Sequence, residues 1–264
     1  MLSFGLSGLR RLNPGRPLAA IVFYELCFRA VELVFLVVYR MRREQVEPPP
    51  REGAMLIVAN HQSFLDPPLV GLSIRNRHPV YLARAGLFRN PVFGGLLRAL
   101  NSVPIKEGGR ADVAAMRTAI EELQRGKCLT IFPEGSRSED GAMVPFKRGA
   151  WLLITKARCA VLPVAVEGCF DAWPRHRKRP SVWGKRVASK LGRVVPFEVL
   201  EAMGPEAGLE FLAREIDRMR LELRAGLRER TGGRYPPRGA GDGAMVVEGK
   251  VASGEQVGGR REAM

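Results

Sequence analysis

Ala54-Met55-Leu56-Ile57-Val58-Ala59 runs directly into Asn60-His61-Gln62-Ser63-Phe64-Leu65-Asp66. Six apolar residues without a polar break predict a short strand buried on both faces, as in a parallel sheet. Such a strand delivers His61 at its carboxyl end, where open α/β sheets place their ligand crevices. A histidine followed closely by an aspartate supplies a base and an acid to orient it. On one continuous helix a five-residue separation would set the two well apart around the axis, so a turn leading into a helix start is required. Two local readings satisfy this. Ser63 caps a helix in a box-like S-x-x-D with Asp66, or Asp66 is itself the N-cap and Pro67 takes the first helical position.

A second segment answers the first. Cys128 to Phe132 reads as another buried strand, and it leads into Phe132-Pro133-Glu134-Gly135-Ser136-Arg137-Ser138. Gly135 gives the backbone freedom for a tight turn. Arg137 stands where a planar, permanently charged fork can hold a phosphate bidentately. Glu134 can orient that arginine or hold a nearby backbone. Alone, H-x4-D is a common accident and P-E-G is merely a turn. On successive strand ends of one domain, the two together define a site.

The rest of the chain supplies the domain. Val80–Arg84, Ser102–Lys106 and Ala160–Val166 read as strands. Pro91–Leu100, Asp112–Arg125, Phe146–Ala157 and Glu206–Glu229 read as helices, with Gly126 stopping the second of them. Strands alternating with helices predict an α/β fold, a mixed and mostly parallel sheet flanked by helices. The expected divisions are an N-terminal membrane-associating segment over 1–46, the α/β domain over 51–230, and a Gly-rich disordered tail over 231–264. Glu47-Pro48-Pro49-Pro50 reads as the linker between the first two. Trp173–Arg193 is strongly basic and reads as a solvated loop, with Trp173 and Trp183 suited to a headgroup interface.

Leu18–Tyr39 is long enough to span a bilayer, yet it carries Glu25, Arg29 and Glu32 near its centre. Each charge costs ~2.5–3.5 kcal/mol on insertion, against ~0.3–0.6 kcal/mol gained per Leu, Ile, Val or Phe. The sums do not favour a clean span. The three charges share one helical stripe, so an amphipathic helix lying in the interface is expected, flanked by Arg10, Arg11, Arg16 and by Arg40, Arg42, Arg43. The plain alternative is a helix packed on the domain.

Lys and Arg number 42 against 27 Asp and Glu, a net charge of +15. That balance favours an anionic partner: nucleic acid, acidic lipid headgroups or a phosphorylated substrate. No nucleic-acid-binding motif accompanies the charge. The four cysteines, Cys27, Cys128, Cys159 and Cys169, form no C-x-x-C pair and read as reduced thiols. With only three histidines, a histidine-rich metal cluster is excluded. His78 is expected at the surface and His176 in the basic loop.

In motif order and spacing, residues 54–200 resemble the glycerolipid acyltransferases of the lysophosphatidic acid acyltransferase type. Asn60-His61 through Asp66 is similar to that family's first motif, and Val103-Pro104-Ile105 to its second. Phe132 to Arg137 is similar to the third, and Val161-Leu162-Pro163-Val164 to the fourth. Leu82–Phe88, Pro91–Gly94 and Phe146–Ala150 also match recurrent segments. The resemblance implies that His61 is a general base on the free glycerol hydroxyl of a lysophospholipid and that Asp66 fixes its tautomer. It implies that Glu134, Gly135, Arg137 and Lys106 serve the acceptor's phosphate, supported by Asn60, Ser63, Pro133, Ser136, Lys147 and Pro163. The donor would be acyl-CoA or acyl-carrier protein, with no metal or other cofactor, no nucleic acid as partner, and a seat on the cytoplasmic face of a membrane with anionic lipids. One departure is Ile105-Lys106-Glu107, where the second motif usually ends in arginine; it bears on the headgroup.

Three rivals follow. The acceptor can be another lysolipid, such as an amino-acid-containing lyso-lipid, lysophosphatidylcholine or a lipid A precursor. The chain can be a basic lipid- or nucleic-acid-binding protein, or an inactive relative. Intact His61 and Asp66 argue against the last. Phe88, Phe93, Leu96 and Leu97 are candidates for an acyl groove, although helical spacing of this kind more often marks plain core.

Overall fold

The computed structural model describes residues 17–105 and 110–245. Helix α1 (Leu18–Val37) leads to strand β1 (Arg42–Gln45), then β2 (Met55–Ala59), α2 (Asp66–Ser73) and β3 (Val80–Arg84). A 3-10 turn (Ala85–Phe88), α3 (Pro91–Ala99), β4 (Ser102–Ile105), α4 (Arg110–Gln124) and β5 (Cys128–Ile131) follow. Next come α5 (Gly149–Ala157), β6 (Ala160–Glu167), α6 (Cys169–Ala172), β7 (Ala188–Leu191), α7 (Phe197–Met203), α8 (Pro205–Glu229) and a 3-10 turn (Ala240–Asp242).

The seven strands form one sheet in the order β1-β7-β6-β2-β5-β3-β4. Every pairing is parallel except β6 with β7. The expected mixed, mostly parallel α/β sheet is therefore what forms. All five residues of β2 are buried, as an unbroken apolar run between two parallel neighbours requires. One face of the sheet packs under α4, α5 and α8. The other packs under α2 and the end of α1, through Leu69, Leu72, Phe35 and Tyr39.

The sheet has two strands that the sequence reading lacked. β1 lies within the segment assigned to the N-terminal anchor, and β7 lies within the basic run read as loop. β1 (Arg42–Gln45) is wholly polar and forms the sheet's edge, and β7 (Ala188–Leu191) places Ser189 and Lys190 between Ala188 and Leu191, so neither is an unbroken apolar run. The boundary at 46 is corrected accordingly, because the N-terminal segment contributes a strand to the domain.

The expected disorder from residue 231 does not hold for the part that is described. Residues 231–245 fold back on α8 instead of trailing away. Arg220 donates to the Gly241 carbonyl at 2.6 Å and to Gly243 at 3.0 Å, and Arg224 donates to Asp242 at 2.7 Å. The Tyr235 hydroxyl donates to the Gly168 carbonyl at 2.6 Å. Polar hydrogen bonds hold this segment, so a composition poor in large apolar residues misleads. Residues 246–264 lie outside the described residues.

Helix α1 turns the two acids of its charged stripe toward the domain, while Arg29 stays exposed. Glu32 is buried and meets Arg29, Arg43 and Arg75 at 2.7–3.0 Å, while Glu25 meets His78 at 2.8 Å. His78 is thus an interior residue, stacked on Tyr24 at 3.9 Å between ring centroids. This corrects its expected surface position. The opposite stripe, Val22, Phe23, Leu26, Leu33, Val34 and Val37, is exposed. No helix among the described residues is long and apolar enough to cross a membrane.

Candidate active site

His61 and Glu134 follow the ends of β2 and β5, which are neighbours in the sheet. The first loop is built around one oxygen. Asp66 Oδ2 accepts from the backbone N–H of Gln62 at 2.5 Å and of Ser63 at 2.6 Å, and it lies 2.8 Å from His61 Nδ1. Asp66 is the first residue of α2, and Pro67 sits just inside the helix. Leu65 is the N-cap and makes no side-chain cap bond. Of the two capping alternatives, Asp66 as N-cap is not realised, whereas the bonds of the box-like S-x-x-D are: the Asp66 carboxylate reaches back to Ser63 N–H, and Ser63 Oγ accepts from Leu65 N–H at 3.2 Å. That backward reach brings the pair together across five residues.

Asp66 is fully buried. An ionised carboxylate facing Nδ1 makes that nitrogen the donor, leaving Nε2 as the acceptor of the neutral imidazole. Nε2 has no hydrogen bond among the described residues, and Phe132 stacks on the ring at 4.2 Å between centroids. The ring is fixed from one edge and one face, with its basic nitrogen available.

Glu134 holds the backbone, one of the two roles expected for it. Its Oε1 accepts from His61 N–H at 2.6 Å and its Oε2 from Val144 N–H at 3.2 Å. Ser138 N–H returns a bond to the His61 carbonyl at 2.8 Å. Burial pushes the Glu134 carboxyl up to about 8, against the opposing pull of those two N–H groups and of Arg220. With both oxygens taken and the residue buried, Glu134 is not a phosphate ligand. That part of the expectation is corrected.

Arg137 lies over the Phe64 ring with its guanidinium carbon 3.5 Å from the centroid. Phe64 in turn packs on Trp173 at 5.1 Å. The Arg137 Nη1 is buried without a hydrogen-bond partner, and burial, then Arg175, lowers the guanidinium's affinity for its proton. A planar cation stacked on an aromatic face with an unused donor is suited to an anionic oxygen.

Gly135 adopts φ +77, and a Cβ there would lie 2.4 Å from Lys147 Nζ. The glycine is required both by its backbone and by the lysine crossing it. Lys147 N–H also bonds the Pro133 carbonyl at 2.9 Å. Asn60 ties the end of β2 to β6 by two bonds with the Val166 backbone, at 2.8 and 3.0 Å. Ser63 Oγ donates to the Trp173 carbonyl at 2.8 Å. Pro163 is paired with Val58 in the sheet, and Gly192 N–H donates to its carbonyl at 2.9 Å. Ser136 is exposed beside Arg137. Lys106 lies outside the described residues.

Sequence reasoning missed a layer behind this loop. Gln62 Nε2 donates to Glu167 Oε2 at 3.0 Å, and Glu167 is fully buried against Arg224 at 2.6 Å and Arg220 at 3.7 Å. Phe64 was within the quoted motif and was legible as an exposed aromatic near a cation. Glu167 and Arg224 carry no local signal, since 57 residues separate them. None of Phe88, Phe93, Leu96 and Leu97 is buried, so the plain-core reading of those four is corrected. They lie on an apolar surface of α3 and the turn before it.

Fold and site define an α/β domain with a histidine–aspartate pair at one central strand end and a phenylalanine-stacked arginine at the next. Residues 40–167, just under half of the chain, match the family profile described as Acyltransferase. It is 32% identical over 127 residues to the chloroplastic 1-acyl-sn-glycerol-3-phosphate acyltransferase BAT2 of Brassica napus, covering 48% of this chain and 36% of that one. To the beta form of the Homo sapiens 1-acyl-sn-glycerol-3-phosphate acyltransferase it is 32% identical over 182 residues, covering 66% and 60%. The chain spans just over a third of the plant relatives' length, 36% and 38%. The crystal structure of the Thermotoga maritima 1-acyl-sn-glycerophosphate acyltransferase PlsC is similar with TM-score 0.64 at 27% identity, covering 83% of this chain and 88% of that one.

Proposed function

We propose that the protein is an O-acyltransferase that acylates lysophosphatidic acid to phosphatidic acid, taking the acyl group from acyl-CoA or acyl-carrier protein. The observation that carries this reading is the His61–Asp66 pair, with Nδ1 held at 2.8 Å and Nε2 free. His61 Nε2 accepts the proton of the acceptor's free hydroxyl as its oxygen attacks the thioester carbonyl. The new C–O bond forms, the C–S bond breaks, and the proton passes from the imidazolium to the leaving thiolate. Asp66 stabilises the imidazolium without itself taking the proton. Arg137, backed by Phe64, holds the acceptor's phosphate. The scheme uses no metal or redox cofactor.

The names of the relatives, 1-acyl-sn-glycerol-3-phosphate acyltransferases, support this acceptor. A further relative, 32% identical over 178 residues, is named N-acylphosphatidylethanolamine synthase, which favours testing an amine-bearing acceptor beside it. The outward apolar stripe of α1 supports docking on a membrane surface, with anionic lipids attracted by the +15 charge. We place the protein on the cytoplasmic face of that membrane.

The test is acyl transfer from acyl-CoA and from acyl-carrier protein to a panel of lysophospholipids, with His61→Ala in parallel. Transfer to lysophosphatidic acid that vanishes in the variant is expected. Undiminished transfer by His61→Ala would end the assignment of the base.

A further inference from the structure

A cleft of about 730 Å³ lies away from the catalytic pair, between the end of α1, the loop before β7 and the segment after α8. Its walls are of two kinds. Val37, Val38, Val182 and Trp183 are apolar, and Arg40, Lys185, Arg186 and Arg234 are cationic. Among the described residues none of these four cations makes an ion pair within 4 Å. Lys185 Nζ lies 5.3 Å from the centre of the Tyr235 ring, and Arg234 Nε donates to the Thr231 carbonyl at 2.9 Å. Asp171 acts on Lys185 through space, but four cations gathered around a cavity without a paired carboxylate repel one another and gain from an anion.

The cleft's place in the sheet says where that anion comes from. β7 runs antiparallel to β6, pairing Glu167 with Ala188, so the start of β7 lies at the same end of the sheet as His61. From β2 to β1 is three strand spacings, roughly 14 Å. The cleft therefore opens on the catalytic end of the domain, but on its other flank. Val37 both lines the cleft and continues the exposed apolar stripe of α1. Trp183, 89% exposed, stands at its mouth. An aromatic with an apolar body and a polar N–H is suited to the boundary between acyl chains and headgroups.

We propose that this cleft is a second lipid site, which takes one anionic phospholipid. The headgroup phosphate sits among Arg40, Lys185, Arg186 and Arg234, and the upper acyl chains lie against Val37, Val38, Val182 and Trp183. The site is separate from the acceptor's, since no residue of the His61–Arg137 centre lines it. The proposal rests on the membrane-docking part of the functional reading.

Short-chain lipids below their micelle concentration separate the two, because they bind without a bilayer. Dihexanoyl-phosphatidylglycerol, dihexanoyl-phosphatidylcholine and inorganic phosphate are titrated while tryptophan emission is followed, with Trp183→Phe identifying the signal. The expected result is a saturable blue shift with the phosphatidylglycerol alone. In Lys185→Gln/Arg234→Gln the binding weakens by about 30-fold, taking the usual contribution of each cation near an anionic lipid, while transfer to a soluble acceptor is unchanged. Equal binding of the phosphatidylcholine would overturn the proposal, as would an unaltered affinity in the double variant. Saturation by phosphate alone would mark a free-anion site instead. Arg40→Gln, at an exposed position, provides an independent variant should the double substitution lower the thermal midpoint.

Discussion

The Glu134 carboxylate receives the backbone N–H of His61 at 2.6 Å, and the two residues sit on different loops 73 positions apart. The residue that resembles a substrate contact in the sequence is thus a brace for the residue beside the substrate. Ser138 N–H to the His61 carbonyl completes the brace from the other direction.

In Glu134→Gln the amide keeps one acceptor oxygen, so one of the two N–H groups, of His61 or Val144, faces an NH2 and loses its acceptor, at about 1–3 kcal/mol. Glu134→Gln is expected to lower the thermal midpoint, and the deficit depends on pH. Burial raises the folded carboxyl from 4.5 to about 8, so across that window the native state binds more protons than the unfolded state. Wild-type stability from this group is full below the lower value and is lost as pH rises through the upper one. Thermal midpoints at pH 5, 6.5 and 8 should show the variant's deficit shrinking as pH rises. A deficit that grows with pH would contradict this.

Asp66→Asn keeps the size of the side chain but presents an amide where three N–H donors converge. The imidazole loses its enforced tautomer, and kcat is expected to fall by about 10³–10⁴-fold. A change confined to KM would show that Asp66 does not act through His61.

Phe64→Leu removes the aromatic face under Arg137. A cation–π contact of about 0.5–2 kcal/mol corresponds to roughly a 2- to 30-fold rise in KM for the phosphate-bearing acceptor, with kcat little changed. Steady-state kinetics with the acceptor varied checks this. Equal effects on kcat and KM would place Phe64 elsewhere in the mechanism.

Leu26→Glu/Leu33→Glu alters two of the most exposed apolar side chains of α1, at 65% and 61%. Since neither supports the core, the thermal midpoint should hold while co-sedimentation with anionic vesicles falls at least tenfold, given about 1.5–3 kcal/mol for each leucine withdrawn from an apolar phase. Retained vesicle binding would show that another surface docks.

Arg224→Ala leaves Glu167 fully buried without its 2.6 Å partner and releases the contacts to Asp242 and Pro237. Removing one member of a buried pair costs about 3–5 kcal/mol. Denaturant unfolding reads the loss directly, and a change under about 1 kcal/mol would mean that the network is not held as described.

What could be read beforehand followed the physics of each element. β2, β5 and β6 are the central strands, and near-continuous burial writes itself into their composition. α8 was recognised because one face of a 25-residue helix must be apolar. β1 and β7 are flank strands whose pairing is carried by backbone groups, which leave no trace in residue type. The sequence placed charge on one stripe of α1 but could not say which way the stripe faced. Partners at Arg43, Arg75 and His78, supplied by the fold, decided that. The His61–Asp66 pair was visible because it is local. The Gln62–Glu167–Arg224 layer was not, because its members meet only after the sheet has formed.

That dependence sets an order of events during synthesis. Asn60 waits for Val166, 106 residues later, and Gln62 waits for Glu167, 105 residues later, which in turn waits for Arg224 and the segment around Asp242. A growing chain that has just left the ribosome with His61 and Asp66 carries the reactive pair unbraced. The brace closes last, so the finished arrangement of the imidazole forms only once Glu167, Arg224 and the segment around Asp242 have been made, and a thioester meeting an earlier product finds no set base to waste it on.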